Sequence, residues 1–321
     1  MSKSMNEKLL SIVCLSYYSS KRLRRCYEAL RHLLDEERIP FEFIIMDDGS
    51  TDDSYAQACV LESEYDNVKA YCLSKNFGAH YSLFAGLSKC SGACALSIPD
   101  DEQLPYTTIV EMYRKWENGN ELVVPYRSQR DDSILSTFFS NVYYKLMNAF
   151  SDVHYPMGGA DQFLIDREIL DIVNKRIHPI NTSVVAEVLR MGFAPCYVPY
   201  HRPLGLNRHT SRWTFRKKLR LAKDTFFSAS TFPIQLISYF GAGCFCCSVA
   251  MGSFYFYIAI WGNMRFWNIS VPGWTSLVVL ILALGGVILL SLSIIAEYIW
   301  RIYDEVKDRP GYIIRKKEDE H

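Results

Sequence analysis

The chain reads Leu96-Ser97-Ile98-Pro99-Asp100-Asp101-Glu102-Gln103-Leu104-Pro105 where a predicted strand runs into an acidic turn. The apolar run 93–98 is typical of a buried parallel strand, and Pro105 closes the turn after it. Open α/β sheets bind ligands at the carboxyl ends of such strands. Adjacent carboxylates repel each other unless a cation lies between them, and a divalent cation can also carry a diphosphate. The stretch therefore predicts either a metal-dependent ligand site or a turn whose acidic residues favour the N-terminus of the next helix.

The same alternation of strand, polar turn and helix recurs along the first two-thirds of the chain. Strands are predicted at 10–15, 41–46, 68–73, 93–98, 122–125 and 194–200, and helices at 21–34, 79–89, 106–116, 133–150 and 181–191. Ser50 or Thr51 is expected to cap a further helix after the second strand, and the small residues Ala85 and Gly86 predict close helix packing. This order predicts an α/β domain with a mostly parallel, Rossmann-like sheet. Neither GxGxxG after the first strand nor GxxxxGK[ST] occurs, which argues against dinucleotide dehydrogenases and P-loop NTPases.

Polar side chains gather just after these strands. They are Asp47, Asp48, Lys75, Asn76, Asp100 and Asp101. Parallel strands end at one edge of a sheet, so these side chains are expected around one crevice, the usual place for a nucleotide. The glycines of a loop at 157–167 permit the backbone to approach a substrate closely, and this loop contains Asp161. The alternative to a substrate-binding role for Asp161 is a capping or turn role.

Charge is balanced overall but unevenly distributed. The chain has 35 basic and 35 acidic residues, so no global field recruits nucleic acid. The segment 233–298 is almost free of charge and holds two apolar stretches, 233–260 and 272–296, each long enough for the ~20 residues that cross a bilayer. Basic residues on both outer flanks predict that both termini are cytoplasmic. Because residues 1–8 are polar, no signal peptide is expected, and the soluble part should remain in the cytoplasm.

Two further segments bear on the membrane. The basic stretch 208–223 contains interleaved apolar side chains, including Trp213 and Phe215. Such a stretch suits RNA, a solvated face or anionic lipid headgroups, and its position just before an apolar span favours lipid. The predicted helix at 133–150 is rich in large apolar residues, which favours core packing over a face turned toward the bilayer.

With these features, the chain resembles the family 2 inverting glycosyltransferases of GT-A fold, and among them the membrane-anchored polyprenyl-phosphate glycosyltransferases. That group includes dolichyl-phosphate-mannose synthase-like enzymes and bacterial undecaprenyl-phosphate sugar transferases. The resemblance covers nearly the whole chain and is carried by Met46–Ser50, Ser74–Gly78, Asp101–Pro105, Ser211–Trp213 and Glu297–Pro310. Each segment is short, and it is their order, together with two C-terminal spans, that makes the resemblance specific.

The resemblance implies a metal-dependent nucleotide-sugar site. Asp47 and Asp48 correspond to the acidic pair that binds the nucleotide, and Asp101 to the second aspartate of the DxD element, which coordinates Mg²⁺ or Mn²⁺. The sequence departs from the pattern because Pro99 stands where the first aspartate is expected, and Asp100 either compensates or only lines the site. The implied nucleotide-sugar contacts are Ser16, Asp47, Asp48, Lys75, Asn76, Asp100 and Gln103.

The resemblance also implies an acceptor site at the membrane edge. Asp161 matches a carboxylate near the acceptor and is, with Asp101, an expected catalytic residue. An alcohol acceptor needs a general base there, whereas a polyprenyl phosphate is already anionic and needs only positioning. Arg208 and Arg212 resemble the basic residues that hold the acceptor phosphate through paired hydrogen bonds, and Arg127 is a further candidate.

The implied activity is transfer of one sugar, with inversion, from a nucleotide-sugar to undecaprenyl phosphate or another polyprenyl phosphate at the cytoplasmic membrane face. A UDP-linked donor is expected, with GDP as the alternative. Rival functions are transfer to an alcohol of a lipid-linked oligosaccharide or lipid A, and a non-catalytic membrane scaffold with a degenerate transferase domain. The expected regions are a GT-A catalytic domain (1–206), a basic amphipathic juxtamembrane segment (207–232), two transmembrane helices with a short outer loop (233–298) and a cytosolic tail (299–321). The expected partners are the donor, the acceptor and the bilayer, and a homo-oligomer is compatible with the family.

Overall fold

The fold is given by a computed structural model. It describes residues 8–101, 104–127, 162–180, 182–201, 273–307 and 309–315, with isolated positions between 239 and 253. The chain divides into two compact units, one of Met1–Ala229 with Arg309–His321 and one of Ser230–Asp308. The predictions that fall outside the described residues are the helix at 133–150, the basic stretch 208–223 and nearly all of the first apolar span.

The described part of the chain contains seven strands and seven helices. The strands are β1 (Leu10–Ser16), β2 (Phe41–Asp47), β3 (Val68–Cys72), β4 (Cys94–Pro99), β5 (Leu122–Arg127), β6 (Leu164–Asp166) and β7 (Pro195–Tyr200). The helices are α1 (Leu23–Glu36), α2 (Ser54–Glu64), α3 (Ala79–Leu87), α4 (Tyr106–Glu117), α5 (Arg167–Arg176), α6 (Val184–Arg190) and α7 (Gly273–Val306).

All seven strands form one sheet in the order β3-β2-β1-β4-β6-β5-β7. β1 pairs in parallel with β2 and β4, β2 with β3, and β5 with β7. The short strand β6 is antiparallel to both β4 and β5, its two neighbours. The α/β prediction is confirmed, and the sheet is mixed because β6 runs against two strands that share one direction.

Helices cover both faces of the sheet. Successive side chains of a strand point to opposite faces of the sheet. Ile12 therefore lies in a core cluster with α1, α2 and α4, and its neighbour Val13 lies in a second cluster with α3, α5 and α6. The predicted close packing of α3 is confirmed at Gly86, where a Cβ atom would lie 2.2 Å from Val13 Cγ1. The result is a three-layer domain whose loops after the parallel strands are free to form a site.

Two local features differ from the sequence predictions. The cap expected at Ser50 or Thr51 is wrong, because α2 begins after Asp53 without a side-chain capping hydrogen bond. Ser50 instead donates to Asp47, as described below. The helix α5 was not predicted; it begins after Asp166, whose carboxylate accepts the Glu168 N–H and so satisfies one of the open donors of the first turn.

The long apolar helix α7 coincides with the second predicted span. It has 34 residues and continues past Ala296 to Val306, so at about 1.5 Å per residue it is longer than the ~30 Å hydrocarbon core of a bilayer. Large apolar side chains are exposed along it, among them Ile288, Ile295 and Ile302. Its stretch Leu284–Val306 is long and apolar enough to cross a membrane, and it is the one such candidate in the described ranges.

Candidate active site

The carboxyl ends of β3, β2, β1 and β4 lie side by side at one edge of the sheet. In the strand register Ser16 lies opposite Asp47, Asp47 opposite Cys72, and Leu15 opposite Pro99. The predicted residues that this edge brings together are Ser16, Asp47, Asp48, Lys75, Asn76, Asp100 and Asp101. The residues expected around one crevice therefore lie at or just after the ends of adjacent strands.

Asp47 is fully buried at the end of β2. It accepts hydrogen bonds from the Ser50 amide at 2.8 Å and the Ser50 hydroxyl at 2.7 Å, and the Ser16 hydroxyl donates at 3.3 Å. Cys72 Sγ lies 3.6 Å away, and burial followed by the charge of Asp47 raises the pKa of this thiol to about 11. A protonated thiol and three other donors therefore stabilise the Asp47 carboxylate.

Asp48 ties the turn after β2 to the loop after β3. The backbone N–H groups of Phe77 and Gly78 each donate to one of its two oxygens at 2.8 Å. Burial raises the pKa of Asp48, and the two N–H bonds oppose that rise because they favour the ionised form. The carboxylate thus fixes the backbone at the start of α3.

Gly49 lets the same two segments approach each other closely. Its φ is +65°, and a Cβ atom there would lie 2.4 Å from the carbonyl carbon of Lys75. Only glycine combines this dihedral with this contact. The side chains of Lys75 and Asn76 are nevertheless exposed, so the loop presents them at the edge while its backbone is held.

Asp100 is buried and already has a counter-charge. Arg22 Nε donates to its Oδ2 at 2.9 Å, and Arg22 Nη2 and the Ser19 hydroxyl donate to the same oxygen. Arg22 also donates to the Tyr18 carbonyl at 3.2 Å. A cation bound by Asp100 would have to displace this guanidinium.

The loop after β1 joins its neighbours into one network. Tyr18 has a left-handed backbone with φ of 51°, and its N–H donates to Ser50 Oγ at 3.0 Å. Its hydroxyl lies 2.8 Å from Thr51 Oγ1. Because Ser19 of the same loop contacts Asp100, the loops after β1, β2 and β4 are hydrogen-bonded together.

Asp101, half-buried in the same turn, is the predicted metal ligand. Mg²⁺ is usually held in proteins by one or two carboxylates, with substrate phosphates and water completing its shell. Within the described residues, no group of three or more His, Cys, Asp or Glu side chains could hold a metal alone. With Asp100 paired to Arg22, the donor set fits a cation held by Asp101 together with a bound diphosphate.

Arg127 ends β5 at the same edge, on the far side of β6. It lies opposite Tyr200 of β7, and its Nε donates to the Tyr200 hydroxyl at 3.1 Å. The remaining predicted site residues lie outside the described ranges: Gln103, Asp161, Arg208 and Arg212. The described residues therefore include every predicted nucleotide-sugar contact except Gln103, and one predicted acceptor residue, Arg127.

Two contributors to this edge were missed by the sequence reasoning. Arg22 occupies the N-cap position of α1 without making a side-chain capping hydrogen bond. Because the helix dipole disfavours a cation there, this placement is a signal that an acidic partner compensates it. The other is the segment 309–315, whose Arg315 Nη2 donates to the Ser74 carbonyl at 2.9 Å. No local pattern indicates a contact between residues so distant in sequence.

Comparison with known proteins gives matches along the chain. Residues 11–173 match the profile of a family described as Glycosyl transferase family 2. The uncharacterised glycosyltransferase YkcC of Bacillus subtilis (strain 168) is 32% identical over 310 residues, 95% of this chain and 93% of that protein. The SfII prophage-derived bactoprenol glucosyl transferase of Shigella flexneri is 30% identical over 315 residues, 96% of this chain and 97% of that protein. The alignments with the two relatives cover nearly the whole chain, whereas the family profile ends at residue 173.

Solved structures are similar at lower identity. Mannosyl-3-phosphoglycerate synthase from Rubrobacter xylanophilus has a TM-score of 0.43 and 17% identity, covering 68% of this chain and 72% of that chain. Glucosyl-3-phosphoglycerate synthase from Mycobacterium tuberculosis, in complex with Mn²⁺, UDP-glucose and phosphoglyceric acid, has a TM-score of 0.40 and 17% identity, covering 61% and 73%.

Proposed function

Since the chain belongs to glycosyl transferase family 2, we propose that it transfers one sugar from a UDP-linked donor to a polyprenyl phosphate at the cytoplasmic face of a membrane. The proposal includes a GT-A fold and inversion at the anomeric carbon. The chain is a glycosyltransferase, and the proposal concerns its donor, its acceptor and its mechanism.

One observation supports a polyprenyl phosphate as the acceptor. A protein named as a bactoprenol glucosyl transferase aligns with 96% of this chain at 30% identity. The likeness therefore extends beyond the sheet into the part that contains α7, an apolar helix with exposed side chains. A lipid acceptor would account for a transferase domain being joined to such a helix.

The donor side of the proposal rests on the strand ends. A nucleotide-sugar at the edge of β2, β1 and β4 would lie among the Asp47–Asp48 turn, the 74–78 loop and Asp101. When bound, a Mg²⁺ or Mn²⁺ ion would neutralise charge on the diphosphate leaving group. Asp101 would hold that ion, while Arg22 keeps Asp100 neutralised and the turn in place.

The transfer itself needs little proton movement. An oxygen of the acceptor phosphate is already anionic near pH 7 and attacks the anomeric carbon as the bond to the diphosphate breaks, so one displacement inverts the configuration. Arg208 and Arg212 are proposed to hold the acceptor phosphate, with Arg127 as a further candidate. Asp161 is proposed to position the substrates.

The location of the enzyme is part of the proposal. We place two spans at 233–260 and 272–296 in the cytoplasmic membrane, with the basic segment 207–232 on its inner surface. Lys and Arg residues are numerous on both outer flanks, whereas the connection between the two spans carries one, Arg265. The helix α7 is long enough to cross once. Both termini and the catalytic domain would then be cytoplasmic.

The test is transfer by the purified full-length protein. With Mn²⁺, UDP-glucose labelled in the sugar and undecaprenyl phosphate, we expect a lipid-linked sugar that is detected by mass spectrometry. Asp101→Asn should lower kcat by about 100-fold or more, because the carboxylate that would hold the metal is lost. Asp53→Asn, at an exposed acidic position of the turn before α2, is the matched control and should keep full activity.

The controls separate the rival functions. Full activity of Asp101→Asn would contradict the metal role. If undecaprenyl phosphate is inert while a lipid-linked oligosaccharide accepts the sugar, the acceptor is an alcohol and Asp161 becomes a candidate general base. A panel of UDP- and GDP-sugars, each compared under the same conditions, identifies the donor.

A further inference from the structure

Residues 309–315, which we call the C-terminal strap, pair with the end of β3. Leu73 and Ile314 form an antiparallel bridge. The Ser74 N–H donates to the Ile313 carbonyl at 2.8 Å, and the Arg315 N–H donates to the Cys72 carbonyl at 2.8 Å. The Arg315 guanidinium adds a bond to the Ser74 carbonyl at 2.9 Å. The strap therefore pairs with the end of the edge strand β3, where residues 74–78, which we call the donor loop, begin.

Side-chain packing holds the strap in the same place. Tyr312 and Ile314 pack against a small buried cluster that includes Met46 and Leu73. Gly311 is pressed against the domain, since a Cβ atom there would lie 2.6 Å from Pro179 Cγ and 3.0 Å from the Tyr81 ring. The strap and residues 1–229 accordingly form one compact unit.

The loop that the strap holds is the one fixed from the other side by the acidic turn. Asp48 accepts the Phe77 and Gly78 N–H groups, and Gly49 contacts Lys75. The strap bonds to Ser74, the first residue of the same loop. The loop 74–78 is thus held at both ends, and one of the two restraints comes from the C-terminus of the chain.

We propose that the C-terminal strap is a positioning element of the donor site, which holds the 74–78 loop in the conformation that binds the nucleotide-sugar. This inference rests on the proposed function. When a binding-competent conformation is only fractionally populated, apparent affinity falls by that fraction. Loss of the strap should consequently weaken donor binding while leaving the acceptor site unchanged.

Two variants of the full-length protein undock the strap by different means. Gly311→Val places side-chain atoms where Pro179 and Tyr81 already lie. Arg315→Pro removes the N–H that donates to Cys72, together with the guanidinium. Ile313→Ala is the matched control in the same segment, because the Ile313 side chain is 51% exposed and its backbone bond remains.

Two readouts are needed. Amide hydrogen exchange of Ser74 reports docking, and we expect faster exchange in both variants and wild-type exchange in Ile313→Ala. With Mn²⁺, the KM for UDP-glucose should rise about tenfold in both variants if the competent loop falls to about a tenth of the population. The KM for undecaprenyl phosphate should change less than about twofold. A general loss of folding would instead lower the apparent kcat and leave both KM values unchanged.

A failure of the strap's positioning role and a failure of the proposed function give different results in these experiments. Unchanged Ser74 exchange in both variants would overturn the proposed positioning role of the strap. Faster exchange with an unchanged KM for UDP-glucose would also overturn it. Equal increases in both KM values would also contradict a donor-specific role. A wild-type protein that neither transfers glucose nor binds UDP overturns the proposed function, and with it the donor role of the strap, even where exchange shows that the strap is docked.

Discussion

Asp100 and Asp101 are neighbours in sequence with different surroundings. Asp100 is buried and accepts hydrogen bonds from Arg22 and Ser19, so its negative charge is balanced by a residue of the same domain. Asp101 is half-buried in the same turn. Two acidic residues that look equivalent in sequence therefore differ in the structure: Asp100 holds the loop after β1, and Asp101 is the one that we propose holds the cation.

At the residue scale, Arg22→Met should lower the free energy of unfolding by about 3 kcal/mol, because it leaves the buried Asp100 carboxylate without its counter-charge. Arg24→Met, on the same helix, removes an exposed pair with Glu64 and should cost much less. Denaturant unfolding of the detergent-solubilised protein measures both. Similar losses in the two variants would contradict the structural importance of the buried pair, and adding Asp100→Asn to Arg22→Met should recover much of the loss.

At the element scale, the predictable features are those with a strong local pattern. The alternation of apolar strands, polar turns and amphipathic helices predicted β1 to β5, β7, α1, α3, α4 and α6, and the sheet edge along which Asp47 and Asp100 both lie. These elements were recoverable because burial imposes a period of two or 3.6 residues on their sequences. The polar residues that follow them are placed by the sheet itself.

Two of the features that were missed, the antiparallel direction of β6 and the strap, depend on distant partners. β6 has three residues, too few for a period, and its antiparallel direction is set by pairing with β4 and β5. The strap is bonded to Ser74, which lies 241 residues from Arg315. Pairing across such separations leaves no local signal, so neither the mixed sheet nor the second restraint on the donor loop was accessible from the sequence.

The packing of α3 predicts a pH dependence of stability. His80 Nε2 lies 3.0 Å from the Pro179 carbonyl, and burial lowers the pKa of this imidazole below the value near 6.5 that an unfolded chain would show. The stability contributed by neutral His80 is therefore complete above about pH 6.5 and is lost as the pH falls toward the folded-state pKa.

Unfolding measured between pH 8 and pH 5 tests this prediction. His80→Gln should lose less stability on acidification than the wild type. His32→Gln is the control, because His32 is exposed on α1, and it should keep the wild-type slope. The same slope in His80→Gln as in the wild type would show that other groups cause the acid sensitivity.

At the scale of the whole molecule, the strap constrains the path of the chain. Residues 309–315 hydrogen-bond to β3, so the segment after α7 lies on the same side of any membrane as the sheet. A chain that leaves and returns to one side crosses an even number of times. If α7 crosses once, a second crossing must lie between residues 202 and 272, where the sequence predicts the apolar span 233–260.

Reporter fusions to the full-length chain test this topology. A fluorescent protein that matures only in the cytoplasm should be fluorescent when fused after His321. Alkaline phosphatase, which is active only outside the cytoplasm, should be active when inserted in the connection near Arg265, because that connection carries few basic residues and lies between the two predicted spans. The same phosphatase inserted in the exposed turn at Gly119, within the sheet domain, should be inactive. Activity of a phosphatase fused after His321 would mean an odd number of crossings, which is incompatible with a strap docked on β3 in a cytoplasmic domain.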